Sequence, residues 1–193
     1  PTQTGLGERR HLLSKKITID TFICDIVNHI LMEDLSNIIL VGHSFAGSTI
    51  SGVADRLKDR INRLIYLDAI ILSNGQCPFD IAPDSIVKER IALAQNSENQ
   101  MSIPPPKPED FGVFDQRKAI TLAKSLTPHP ISTFQSKLNI INEIGNGLPL
   151  SYIVCTNPIY KSLESSREIV RLKKWPIFEL IASHDAMYTH PKE

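Results

Sequence analysis

The stretch Asn37-Ile38-Ile39-Leu40-Val41-Gly42-His43-Ser44-Phe45-Ala46-Gly47-Ser48-Thr49-Ile50 is an apolar run that breaks at a serine and restarts as a series of small residues. Ile38 to Val41 is aliphatic without alternation, which suits a strand buried on both faces of a parallel sheet, although periodicity alone does not exclude a helix. Gly42-His43-Ser44-Phe45-Ala46 matches the pattern G-x-S-x-G with alanine in the last position. Such a segment makes a sharp strand-to-helix turn, lifts the serine hydroxyl above the sheet and leaves the next backbone N–H, here on Phe45, free to bind an oxyanion. Small residues are needed where strand and helix approach closely, and Gly47 and Ser48 meet that need.

The flanking sequence repeats the alternation. Between Thr18 and Asp34, apolar residues Ile19, Phe22, Ile23, Ile26, Val27, Ile30 and Leu31 recur at steps of three and four, with Thr18 or Asp20 as N-cap, so an amphipathic helix precedes the run. Arg63 to Asp68 reads as a second short strand ending in a carboxylate. Leu150 to Cys155 is a third, followed by a helix from about Leu163 to Lys174 that Trp175-Pro176 stops. Ile177 to Ala182 is the last strand, with Ser183-His184-Asp185 at its end. Strands separated by helices predict an α/β fold with a mostly parallel sheet and right-handed crossovers. The 193 residues are expected to form one domain. An insertion over the sheet from about 71 to 141 carries short helices at Ser85–Ala94 and Arg117–Lys124 and the cluster Pro104-Pro105-Pro106-Lys107-Pro108. It reads equally as a lid or as a proline-rich surface linker.

Composition narrows the partners. With 21 basic and 21 acidic residues the formal net charge is zero, which argues against nucleic acid and anionic membranes and is compatible with a small neutral substrate. Cys24, Cys77 and Cys155 are odd in number and lack C-x-x-C spacing, so neither a disulfide framework nor a zinc site is indicated and a cytoplasmic location is the default. No membrane span or secretory leader is visible. Oligomeric state is not encoded in any feature of the sequence.

Polar groups in open α/β sheets do their chemistry at the carboxyl ends of the strands, and Ser44, Asp68 and His184 all fall there. A serine becomes nucleophilic beside a base, and a carboxylate orients the imidazole and stabilises its charged form. Among the other histidines, His43 is expected to point away from Ser44, and His29 lies in the first helix. His11, His129 and His190 stand beside turn formers and are expected to be solvated. The acid is open. Asp68 competes with an N-cap or loop-organising role, while the strand ending at Cys155 is followed by Thr156-Asn157-Pro158. Asn157 could hold an imidazole tautomer as a substitute but could not neutralise imidazolium.

Pro1-Thr2-Gln3-Thr4-Gly5-Leu6-Gly7-Glu8-Arg9, Gly42 to Gly47, Leu64 to Ala69, Leu126-Thr127-Pro128-His129-Pro130 and His184-Asp185-Ala186-Met187 together resemble the α/β-hydrolase family, in the esterase-like branch related to plant methylesterases and hydroxynitrile lyases. The resemblance runs through nearly the whole chain. It implies Ser44 as nucleophile, His184 as base, the Phe45 N–H in the oxyanion hole, a helical cap built from the region after Asp68, and no metal or organic cofactor. It also implies that strands and a His-Gly loop carrying a second oxyanion N–H precede Pro1, and that a helix continues beyond Pro191. The expected activity is hydrolysis of small carboxylic esters through an acyl-enzyme. A cyanohydrin lyase using the same residues for acid–base work, and an impaired or binding-only relative, are the alternatives.

Overall fold

The computed structural model describes residues 1–193. In chain order the elements are α1 (Ile19–Met32), β1 (Ile38–His43), α2 (Ala46–Arg56), β2 (Ile61–Leu67), α3 (Pro78–Ile81), α4 (Asp84–Gln95) and β3 (Ser102–Ile103). They continue with α5 (Gln116–Ser125), β4 (His129–Pro130), α6 (Ile131–Gln135), β5 (Leu150–Cys155), α7 (Glu164–Leu172), β6 (Ile177–Leu180) and α8 (Ala186–Thr189). Four strands form one parallel sheet in the order β1-β2-β5-β6. The register sets His43 beside Leu67 and Leu67 beside Ile153, so the ends of the first three strands lie side by side.

Helix α1 forms where the three-to-four spacing requires it, and Thr18 accepts from the Thr21 N–H in a capping box that satisfies two otherwise free donors. Its apolar stripe, Ile19, Ile23, Ile26 and Ile30, joins Ile50, Val53 and Ala54 of α2 and Val170 of α7 against Leu64, Tyr66, Tyr152 and Val154 of the sheet. That cluster is the main core. Tyr66 and Tyr152 are paired across β2 and β5. Both hydroxyls are used: Tyr66 shares a 3.0 Å hydrogen bond with Ser51 Oγ, and Tyr152 donates to the Ala69 carbonyl while accepting its N–H.

The helices of this chain cover the side that carries Leu40 and Gly42, and β1 stands at one end of the strand order. On the side of the sheet away from these helices, Ile39 and Val41 of β1 are 60% and 52% exposed and Phe178 of β6 is 59% exposed. The excursion between β2 and β5 carries helices α3 to α6 and, between them, β3 and β4, which pair antiparallel through Ser102–Pro130 and Ile103–His129. Pro104 to Lys107 is exposed and leads to a 3-10 turn at Pro108–Phe111, whose Phe111 ring lies 5.6 Å from the ring of His184. Phe45 anchors the other side of the excursion, packing with Phe79, Ala94, Ile103, Ile131 and Phe134. No helix is long and apolar enough to cross a membrane.

Candidate active site

Ser44 follows the last residue of β1 and has φ of +52°, a left-handed conformation that is rare for a side chain with a Cβ. The turn is held from three sides. The Ser44 N–H donates to the Leu67 carbonyl, the Ser44 carbonyl accepts from the Ile70 N–H at 2.9 Å, and the Gly47 N–H closes back onto it at 3.2 Å. Close approach explains the small residues: a Cβ on Gly47 would lie 2.4 Å from the Ile70 carbonyl oxygen. The Phe45 N–H donates to no protein carbonyl, because it is the first unsatisfied donor before α2.

Asp68 follows β2 and also has positive φ, +39°. Its N–H donates to the Ile153 carbonyl at 2.7 Å, and Tyr152 grips Ala69 on the other side, so the bend that turns the carboxylate inward is fixed by β5. His184 follows β6 on a short loop. Its Nδ1 is 2.7 Å from Asp68 Oδ2 and its Nε2 is 3.0 Å from Ser44 Oγ. With the carboxylate ionised, Nδ1–H donates to Asp68 and Nε2 is left to accept from the serine hydroxyl. Asp68 and His184 are 0% and 2% exposed, so these bonds are shielded from water. The geometry brings together Ser44, Asp68 and His184 and leaves out Asn157, which is exposed and whose N–H is turned to the Ala182 carbonyl. Of the two candidate acids, Asp68 is the one that contacts the imidazole.

His184 is also clamped on its faces. The Tyr160 ring stacks on it at 4.2 Å between centroids with an interplanar angle of 17°, and His43 lies on it at 4.5 Å. His43 makes no bond to Ser44, as expected, yet it does not turn to solvent. Its Nε2 donates to the His184 carbonyl at 2.9 Å, and burial, followed by the neighbouring His184 charge, lowers its pKa to about 3. His129 departs further from expectation. It is packed among Phe22, Phe45 and Phe134, bonds Thr133 Oγ1 at 2.9 Å, and has its pKa lowered to about 3 by burial and then by Arg90. Nearby, burial raises the Asp185 carboxyl and pushes the Cys155 thiol up to about 12, so this thiol is an inert neutral group. His43, His184 and Asp185 present ligand atoms within 4.8 Å of one another. Both His184 nitrogens are engaged by Ser44 and Asp68, however, which leaves a metal no free lone pair on that imidazole.

The two neutral histidines have a measurable consequence. Each takes up a proton when unfolding exposes it, so below about pH 6.5 the unfolded state binds more protons and stability falls as pH falls. Between about pH 7 and about pH 5.5 the loss is expected to reach roughly 2 kcal/mol from the pair. Urea midpoints at the two pH values measure it. His129→Gln should remove about half of the difference, and a flat profile would contradict the burial of both rings. Asp185 works in the opposite sense within the carboxylate range, since its folded pKa is raised.

A parallel sheet with a serine on the turn after one strand, a carboxylate after the next and a histidine after the last is the architecture of the α/β-hydrolases, and the chain has that fold. Comparison with known proteins gives the same class. An extracellular α/β-hydrolase from a Paenibacillus species, described as sharing structural and functional homology with tobacco salicylic acid binding protein 2, superposes with a TM-score of 0.84 at 26% identity, covering 100% of this chain and 81% of that one. The carbendazim hydrolyzing esterase of Nocardioides sp. (strain SG-4G) is 42% identical over 89 residues, 46% of this chain and 37% of its own. Putative methylesterase 14, chloroplastic, of Arabidopsis thaliana is 29% identical over 129 residues, 58% of this chain and 37% of its own. The chain thus spans little more than a third of the length of these two curated relatives. No family model matches it.

Proposed function

We propose that this chain belongs to a serine-dependent hydrolase of small carboxylic esters. The observation that carries the reading is the unbroken hydrogen-bonded line from Ser44 Oγ through His184 to Asp68, placed at the strand ends. The esterase and methylesterase relatives support it. Ser44 Oγ attacks the acyl carbonyl while its proton passes to His184 Nε2, and Asp68 steadies the imidazolium that forms. The Phe45 N–H faces the developing oxyanion. Collapse of the tetrahedral intermediate breaks the bond to the alcohol, which leaves with the proton from Nε2. The acyl-Ser44 ester is then cleaved by a water that His184 deprotonates in turn, releasing the acid and restoring the serine. The residues from about 71 to 141 act in this reading as a cap, since Phe111 reaches His184 and Phe134 reaches Phe45. Free Cys24, Cys77 and Cys155 suit a reducing compartment such as the cytoplasm.

A cyanohydrin lyase would need a cation or strong donor for departing cyanide. The buried cation beside the triad, Arg167, is instead committed to Asp68, Glu164 and the Tyr160 carbonyl. A fluorophosphonate is expected to modify one residue, Ser44, at one equivalent per chain, as read by peptide mass spectrometry. Labelling elsewhere, or none at all, would count against the hydrolase reading.

A further inference from the structure

Arg167, near the start of α7, is 2% exposed and is the largest of the fully buried side chains. Its nitrogens go to three places. Nε donates to Glu164 Oε2 at 2.9 Å, Nη2 donates to the Tyr160 carbonyl at 3.1 Å, and Nη1 stands 3.5 Å from Asp68 Oδ1. Asp68 Oδ1 and Arg167 Nη1 have no other partner, so each depends on the other. The second oxygen of that carboxylate receives His184 Nδ1–H, and the residue whose carbonyl Arg167 holds carries the ring stacked on the same imidazole.

A buried ion pair is weak evidence of stabilisation, because apolar residues of similar volume often serve folding equally well. What an apolar residue could not do here is oppose rotation of the Asp68 carboxylate and fix Tyr160 at the same time. We infer that Arg167 is a positioning residue for the base, its charge holding the Asp68 carboxylate in line with His184 Nδ1 and its fork holding Tyr160 against the imidazole face. This rests on the hydrolase reading. The ionisable groups facing the Asp68–His184 pair are His43 at the end of β1, Tyr152 and Cys155 of β5, Tyr160 in the loop before α7, Arg167 of α7 with its partner Glu164, and Asp185 beside His184. Burial keeps His43, Tyr152 and Cys155 neutral, which leaves Arg167 as the fixed positive charge on the pair.

Whichever member of the pair takes a proton, that proton is repelled by the guanidinium. Removing the charge therefore eases protonation and moves the acid limb of kcat/KM to higher pH. In Arg167→Met the limb should rise by about one pH unit and kcat should fall at least roughly tenfold with KM within about twofold. Arg167→Lys keeps the charge but cannot reach Asp68 and the Tyr160 carbonyl together, so its limb should stay at the wild-type pH while kcat falls several-fold. The assay is 4-nitrophenyl acetate hydrolysis against pH, with circular dichroism to establish folding. Full-length wild-type protein containing this chain that neither turns over nor is labelled at Ser44 contradicts the hydrolase reading itself. With wild-type turnover present, a folded Arg167→Met with an unmoved limb overturns the inference; if that variant does not fold, Arg167→Lys with wild-type kcat does so.

Discussion

Ser44→Ala is expected to reduce kcat for 4-nitrophenyl acetate by roughly 10⁴- to 10⁶-fold, leaving the thermal midpoint within a few degrees of wild type. The size follows from what the hydroxyl does. Without Oγ there is no atom within 3.0 Å of His184 Nε2 to attack the carbonyl, and no acyl-enzyme can form, so the oxyanion donor and the imidazole are left to act on bulk water. A millionfold loss corresponds to about 8 kcal/mol of transition-state stabilisation. The stability cost is small because the turn is held by backbone bonds to Leu67 and Ile70, which alanine keeps. Alanine meets the same positive φ that serine already tolerates. Turnover within about tenfold of wild type would mean that another group carries the reaction.

The residues at the strand ends were legible because local pattern fixes strands and helices, and parallel connection then fixes which ends coincide. Leu150 to Cys155 reads as a strand from its apolar run and is one, and the spacing around Ile19 to Ile30 gives α1 to within a few residues. Whatever depends on contacts between distant segments was not legible. Asp68 and His184 are 116 residues apart, and the bend that aims Asp68 is set by Tyr152 on a third segment, so sequence could not choose between Asp68 and Asn157. Arg167 looked like any charged residue of an amphipathic helix, and only burial separates it from Arg171, which is 55% exposed. Turn formers flank His129, which suggested solvent, yet β4 pairs with β3 and carries the ring into an aromatic cluster. An aromatic residue two to five positions from such a histidine, as Phe134 is, would have been the available signal.

Asp68→Asn is expected to lower kcat by about four orders of magnitude, whereas Asn157→Ala should leave it within about twofold. The amide is isosteric, so the loss comes from proton placement. Asp68 Oδ2 accepts from His184 Nδ1–H, while Oδ1 faces the Arg167 guanidinium, which can only donate. Asparagine has one acceptor for these two demands. If its carbonyl oxygen turns to Arg167, its NH₂ faces Nδ1 and forces the tautomer with the proton on Nε2, which cannot accept from Ser44. If the oxygen turns to His184 instead, NH₂ is driven against Nη1 in a site without water access, and the charge that steadied imidazolium is gone in either case. The first orientation is favoured because a hydrogen bond to the charged guanidinium is the stronger of the two. The nitrogen-bound protons of His184, followed by NMR in isotope-labelled protein, should show the Nδ1–H of the wild type replaced by Nε2–H. Asn157, exposed and bonded through its backbone to Ala182, touches none of these atoms. Retention of a tenth of wild-type kcat by Asp68→Asn, or a comparable collapse in Asn157→Ala, would move the acid from β2 to the end of β5.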